Sequence, residues 1–337
     1  RSFAKSRKEE NEMKLKKIKR MVVAGTAILM TLSLAGCGIG SDSVKLGAAG
    51  VGGGYYAFSN AFAQIASSED EDLDFEVKAT AGSTANIRLL SDGYVDMAIA
   101  QADLVDAAYN GTGATDKKRY RGYSAVASLY TEACQIVVRA DSGIDSLDDL
   151  QGKKISVGEE ESGTQRNAEQ ILKMTGLVES LVDTVNLDYV DAANELKSGQ
   201  IDAFFCTAGI QTSVIEELSK ECDVKLIGID DKCRDRLKSV YGFYTDYTIP
   251  AGTYEGQTQD VVTLGVRAVL LARDDMDEKI VEELTGLLFE HAQDIQYSIA
   301  LTFQIDESEA VKNVTIPFHD GAKAYYQKKG IEIPAEQ

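Results

Sequence analysis

From Val44 onward, short β-rich runs alternate with amphipathic helical stretches, and the alternation comes in two successive series. Segments of period 2 and period 3.6 that follow one another in this way build an α/β sheet. The first series predicts strands at Val44–Ala48, Asp74–Ala81 and Val95–Ala100. Helices are expected from Tyr55 to about Ser67 and from Ser83 to Ser91, with a short third helix after the Val95–Ala100 strand, to Tyr109, followed by two strands, Tyr123–Leu129 and Cys134–Arg139. The second predicts strands at Lys154–Val157, Val185–Val190, Ile201–Cys206 and Val224–Ile229, with helices at Thr164–Thr175, Asp191–Lys197 and Thr212–Cys222. Val261–Ala272 reads as a further strand, Asp277 to Ile295 as one long helix, and Ala322–Lys328 as a last helical segment.

Two stretches are near-copies. Ser91-Asp92-Gly93-Tyr94-Val95-Asp96-Met97-Ala98 parallels Lys197-Ser198-Gly199-Gln200-Ile201-Asp202-Ala203-Phe204. In each a helix ends on Gly, which takes the left-handed conformation cheaply, and Val/Ile-Asp leads into a buried strand. The repetition suggests two lobes built on one plan.

The ends carry a separate signal. The first Met is Met13, and residues 1–12 read as translated upstream sequence. From Met13, the basic stretch Lys14, Lys16, Lys17, Lys19 and Arg20 precedes an uncharged run, Met21 to Leu32, closed by Leu34-Ala35-Gly36-Cys37. That run is short for a membrane-spanning helix, which needs roughly 20 residues, and the pattern is that of a secretory signal. The Leu-Ala-Gly-Cys ending resembles the lipobox of bacterial lipoproteins. The resemblance implies cleavage after Gly36, a lipidated Cys37 and a tether over residues 37–43, in place of an uncleaved anchor.

Residues 1–36 hold 9 of the 35 basic and 3 of the 54 acidic residues, so the remainder carries 26 basic against 51 acidic, a net charge of −25. Such a surface repels phosphate backbones and argues against nucleic-acid partners. Only His291 and His319 are present, neither in a nucleophile setting, which argues against a histidine-based hydrolase. Cys134, Cys206, Cys222 and Cys233 allow three full pairings or free thiols, and no spacing suggests a metal or another cofactor.

Three strand-to-helix loops combine Gly with hydroxyl or aromatic residues: Gly47 to Tyr56, Gly82-Ser83-Thr84-Ala85-Asn86, and Gly158 to Gln165. Amides at helix starts attract anions, and loops at the carboxyl edge of an open α/β sheet are where such folds bind ligands. The first loop lacks the Lys-Ser/Thr of a phosphate-binding loop and the third Gly of a dinucleotide fingerprint. Ser83 or Thr84 also serves as a helix cap in the simplest reading. Gln101-Ala102-Asp103 ends a strand at the same edge, and Arg88, Arg139 and Arg166 are candidates for a carboxylate clamp or for surface ion pairs.

Taken together these motifs resemble the TAXI branch of TRAP-transporter solute receptors over residues 44–331. The likeness lies in the Gly loop with Tyr55-Tyr56, Gly82 to Asn86, Gln101 to Asp103, Ala140 to Ile144, Leu147 to Gly152, Ser162-Gly163-Thr164 and the tail Phe318 to Tyr326. The sequence departs from the family pattern at Ala57, at Asp320 and in Cys206 to Ile210, where the family often has Pro. The resemblance implies a type II periplasmic-binding-protein-like clamshell, α/β in class, with a hinge of crossing strands. One lobe is expected over residues 44–137 and 258–337, the other over 138–257.

It also implies capture, without catalysis, of a small carboxylate such as a glutamate-like amino acid or a dicarboxylate. The partner is an ion-gradient-driven TRAP permease in the membrane to which Cys37 anchors the receptor. Carried over position by position, Gly53, Gly54, Tyr55, Ser83, Asn86, Gln101, Tyr130, Ser162, Gly163 and Thr164 lie near the ligand. A receptor feeding a sensor kinase, or a lipid-anchored α/β enzyme, are the alternative functions.

Overall fold

A computed structural model describes residues 43–113, 117–178, 180–299 and 305–334 of the chain. The signal, the Cys37 lipidation and the tether up to residue 42 lie outside the described residues.

The chain opens with β1 (Val44–Gly47), α1 (Gly54–Glu69), β2 (Phe75–Lys78), α2 (Ser83–Ser91), β3 (Met97–Gln101) and α3 (Ala102–Asn110). The long strand β4 (Tyr123–Arg139) follows, and then β5 (Lys154–Ser156), α4 (Gly163–Thr175), β6 (Asp183–Val185), α5 (Tyr189–Ser198) and β7 (Ala203–Ala208). The remainder is α6 (Ser213–Glu221), β8 (Val224–Leu226), α7 (Asp231–Val240), β9 (Thr245–Ile249), β10 (Val261–Arg273), α8 (Glu278–Glu290), α9 (Ala292–Ser298) and α10 (Asp320–Lys329).

The strands form one path, β2-β1-β3-β10-β4-β7-β5-β6, with β8 on β4 and β9 on β10. β1, β2 and β3 are mutually parallel, as are β5, β6 and β7. Between the two parallel sets runs an antiparallel ribbon of β4 and β10, in register from Gly265↔Ala133 to Arg273↔Tyr123. At about 3.3 Å per residue, the 17 residues of β4 extend about 55 Å, enough to serve two cores. One apolar cluster gathers residues from Leu46 to Tyr130 and from Ala268 to Tyr326. Another gathers residues from Cys134 to Val266. The exchange between cores therefore falls inside both strands of the ribbon.

Four expectations differ from the structure. Tyr123–Leu129 and Cys134–Arg139 are one strand, not two, because Thr131 and Glu132 interrupt the apolar run without interrupting the ladder. The strand expected over Val185–Val190 stops at Val185, because Asp188 accepts a hydrogen bond from Asp191 N (2.8 Å) and starts α5 at Tyr189. The helix from Asp277 to Ile295 is divided at His291 into α8 and α9. α7, which follows the Asp230 cap, was not anticipated.

The near-copies prove to be the same device in both halves. Gly93 and Gly199 each take φ +76 just beyond the helix end. The Asp of each copy accepts from the first amide of the neighbouring strand: Asp96 from Lys45 N and Asp202 from Lys154 N, both at 2.9 Å. An arginine at the end of a ribbon strand completes each: Arg273 beside Gly93 and Asp96, and Arg139 donating to the Leu196 carbonyl at 3.0 Å.

Candidate functional site

Parallel strands in each half deliver their carboxyl ends, and hence the following helix N-termini, to one shared cavity. Its lining includes Gly53, Gly54, Tyr55, Ser83, Gln101, Ser162, Gly163 and Thr164, eight of the ten residues expected near the ligand. Its volume is about 40 Å³, so the two halves are nearly in contact across it.

Each of the eight is held by local chemistry. Gly53 and Ser162 occupy the N-cap positions of α1 and α4. Ser162 Oγ accepts from Gln165 N at 2.9 Å; the amides of each first turn have no partner four residues back. Ser83 Oγ accepts from Gln101 N at 3.1 Å, joining the second loop to the end of β3. Gln101 Nε2 reaches across to Asn167 Oδ1 (3.0 Å), and Asn167 Nδ2 donates to Tyr244 OH (2.8 Å). The Thr164 hydroxyl is committed to a small ring. It accepts from Thr207 N at 3.1 Å and pairs with Tyr189 OH at 2.6 Å, while Tyr189 OH donates to the Thr207 carbonyl at 3.0 Å.

The other two expected residues are elsewhere. Asn86 is fully buried beneath the loops, where its Nδ2 donates to the carbonyls of Gly47, Ala48 and Ile99. It ties β1 to β3 and does not line the cavity. Tyr130 is buried against Phe58, with ring centroids 6.2 Å apart. It shares a face of β4 with Glu132, two residues on, but its ring is taken into the core cluster and does not line the cavity.

None of the three candidate arginines lines the cavity. Arg139 closes the far end of β4, as described above. Arg166 lines a neighbouring groove with Glu160, Glu161 and Glu169. Arg88 makes a bidentate pair with Glu161, at 3.1 and 2.7 Å, and this pair joins the halves. Glu161 is also the acceptor for α2: its carbonyl takes bonds from Thr84 N (3.1 Å) and Ala85 N (3.2 Å). Of the three helix starts, α2 is thus capped by protein, while α1 and α4 face the cavity.

The same closeness appears at Gly163. A Cβ built there would lie 2.5 Å from Gln101 Cδ, a separation that atoms of neighbouring side chains do not sustain. Glycine is required at that point for the halves to meet.

The lining also includes Glu132, Asp188 and Tyr189, which were not anticipated, with Glu159 from the third predicted loop and Thr207 from the Cys206 to Ile210 segment. Glu132, in the middle of β4, is 2% exposed. Burial pushes its carboxyl up to about 8, against the opposing effect of hydrogen bonds from Tyr55 and Gln101. Tyr55 OH donates to Glu132 Oε2 at 2.6 Å; burial and the neighbouring carboxyl in turn raise the Tyr55 phenol. Burial, and then Asp188, raise Glu159. A signal for Glu132 existed in the sequence, as the one acidic residue inside an otherwise apolar and hydroxyl-bearing stretch. Asp188 sits in a polar loop that carries no such signal.

Residues 46–330 match the NMT1-like family. The chain belongs to that family. A protein from Bordetella bronchiseptica RB50 has a similar structure, with a TM-score of 0.56 at 16% identity over 86% of this chain and 98% of that one. MatC from Rhodopseudomonas palustris, solved with bound malate, gives a TM-score of 0.56 at 14% identity over 79% and 91%. The alkanesulfonate-binding protein SsuA from Xanthomonas axonopodis pv. citri, solved with MOPS, gives 0.46 at 14% identity over 86% and 80%. The fold of this NMT1-like chain is the two-lobed α/β fold of periplasmic-type solute-binding proteins. Among the described residues no group of three or more His, Cys, Asp or Glu is arranged to hold a metal. No described helix is long and apolar enough to cross a membrane. All four cysteines from Cys134 onward are free thiols, three of them buried.

Proposed function

We propose that this chain captures a small carboxylated solute, a glutamate-like amino acid or a dicarboxylate, outside the cytoplasm. It delivers that solute to an ion-gradient-driven TRAP permease, from a lipid anchor at Cys37, and catalyses nothing. The observation that carries the reading is the convergence of two helix starts, at Gly53 and at Ser162, on one buried cavity. Unpartnered first-turn amides and the positive end of the helix dipole favour a carboxylate there. The family and the fold support capture of a small solute, and a protein of similar fold was solved with bound malate.

The two helix starts come from different halves, so a ligand that contacts both favours the closed state over the open one. We assign one lobe to residues 44–137 and 258–337 and the other to 138–257. The bend lies in the ribbon, where the cores exchange between Tyr130 and Cys134 and between Val266 and Ala268. The permease then reads closure.

A thermal-shift screen over dicarboxylates, amino acids and keto acids tests the reading. A true ligand at about 100 times its Kd adds roughly 2.7 kcal/mol. Tyr55→Ala and Ser162→Ala should abolish the shift, and a shift that survived both would refute this site. Small-angle scattering showing no compaction with a bound ligand would refute closure.

A further inference from the structure

Every ionisable side chain lining the cavity other than Tyr is acidic: Glu132, Glu159 and Asp188. A ligand carrying negative charge at both ends would bring a second anion against Glu159 and Asp188 and hold Glu132 protonated, with no Lys or Arg in the lining to receive it. The helix starts can serve one carboxylate; the other end of the ligand must suit acceptors.

Two buried acceptors meet there. Glu132 accepts from Tyr55 OH and lies beside the Gln101 amide, and no Lys or Arg pairs with it among the described residues. Gln101 is 1% exposed, and its Oε1 has no hydrogen-bond partner among the described residues. Its Nε2 is turned to Asn167 Oδ1, and Asn167 is itself fixed by Tyr244, so the amide oxygen is left over at the cavity. A buried acceptor without a donor is destabilising, a cost that a donor-bearing ligand removes.

We infer that Glu132 and Gln101 form an ammonium-reading subsite, so that the captured solute carries a protonated amine besides its carboxylate. The inference rests on the carboxylate reading above and narrows it: an amino acid is the cargo, and dicarboxylates and keto acids are rejected. The ammonium donates to Glu132 and to Gln101 Oε1, while the carboxylate lies on the starts of α1 and α4. No covalent step is involved. Because burial holds Glu132 near 8 in the free site, pairing with an ammonium ionises it and expels its proton, about 0.9 per site at pH 7.

The test compares the twenty standard amino acids with their 2-oxo acids and with n-butylamine, by titration calorimetry on the full mature chain. At least one amino acid should bind ten-fold or more tightly than its 2-oxo acid. Calorimetry in phosphate and in Tris should report release of close to one proton. Glu132→Gln, checked for native circular dichroism, should lower that preference at least ten-fold. If the variant does not fold, the wild-type preference and proton release decide. A 2-oxo acid that binds as well as its amino acid overturns the ammonium subsite and leaves carboxylate capture intact. Binding of n-butylamine without any amino acid sinks the carboxylate reading and keeps the subsite. Binding by none of the amino acids or amines overturns the inference, as does an unchanged preference in the folded variant.

Discussion

Replacing Glu132 by Gln has a consequence for the ligand-free protein that can be worked out from the buried carboxyl alone. Burial moves this group from an ordinary 4.5 to about 8. A carboxyl whose folded value lies above its unfolded value holds its proton more tightly when folded. It therefore leaves stability intact below about pH 4.5 and erodes it as the pH rises, until the folded form also ionises near pH 8. At 1.36 kcal/mol per pH unit, the span from 4.5 to about 8 amounts to about 5 kcal/mol. Glutamine keeps the shape and an oxygen for the Tyr55 hydroxyl but cannot ionise. Urea unfolding of both proteins at pH 5, 6, 7, 8 and 9 should show the variant gaining on the wild type by about 1.4 kcal/mol per unit up to pH 8. Beyond that the gap should be constant. Asp103, which burial raises to about 6, titrates in both proteins and cancels in the difference. Parallel stability curves would refute the reasoning, because they would mean that Glu132 is solvated in the folded protein.

Gly163→Ala should spare the open protein, since Gly163 begins α4 and Ala is the better helix former, yet obstruct closure on Gln101. Overpacking of this kind costs about 1–3 kcal/mol, so ligand affinity measured by calorimetry should fall about 5- to 150-fold with little change in ligand-free stability. Arg88→Ala removes a half-exposed interlobe ion pair worth no more than about 1 kcal/mol; scattering should show a larger radius of gyration and affinity should drop less than about 5-fold. Asp96→Ala and Asp202→Ala should each cost about 1–3 kcal/mol in urea unfolding, by stranding the Lys45 and Lys154 amides. Unequal costs would count against their equivalence.

What was legible in the sequence was whatever local chemistry dictates. The alternation of runs gave the sheet, and Gly-Tyr-Val-Asp and Gly-Gln-Ile-Asp marked a turn whose Asp does the same work in both halves. The loops at Gly53, Ser83 and Ser162 were found because a strand must turn into a helix there, and glycine with a hydroxyl is how that turn is made. What the sequence did not show depended on distant partners. Asn86 looks like a ligand residue in its loop, but its three acceptors lie on strands 13 to 39 residues away. Arg139 looks like a clamp at a strand end until the strand's direction puts it at the other end of the sheet. Glu132 was hidden by its own effect: the charge that broke the apolar pattern of β4 made one strand read as two, and the break was the site.

On the proposed division into lobes, the paired β4 and β10 leave the clamshell without a slack joint. Opening it means flexing a ladder whose register shifts lie between Arg267 and Val269 and between Leu270 and Leu271, beside the point where the cores exchange. The energy of that flexure is common to every solute the protein encounters. Substitutions in the ribbon therefore rescale all affinities by one factor, whereas substitutions in the cavity reorder them. Strength of capture and choice of cargo are thus separately adjustable, and natural variation can tune the first without disturbing the second.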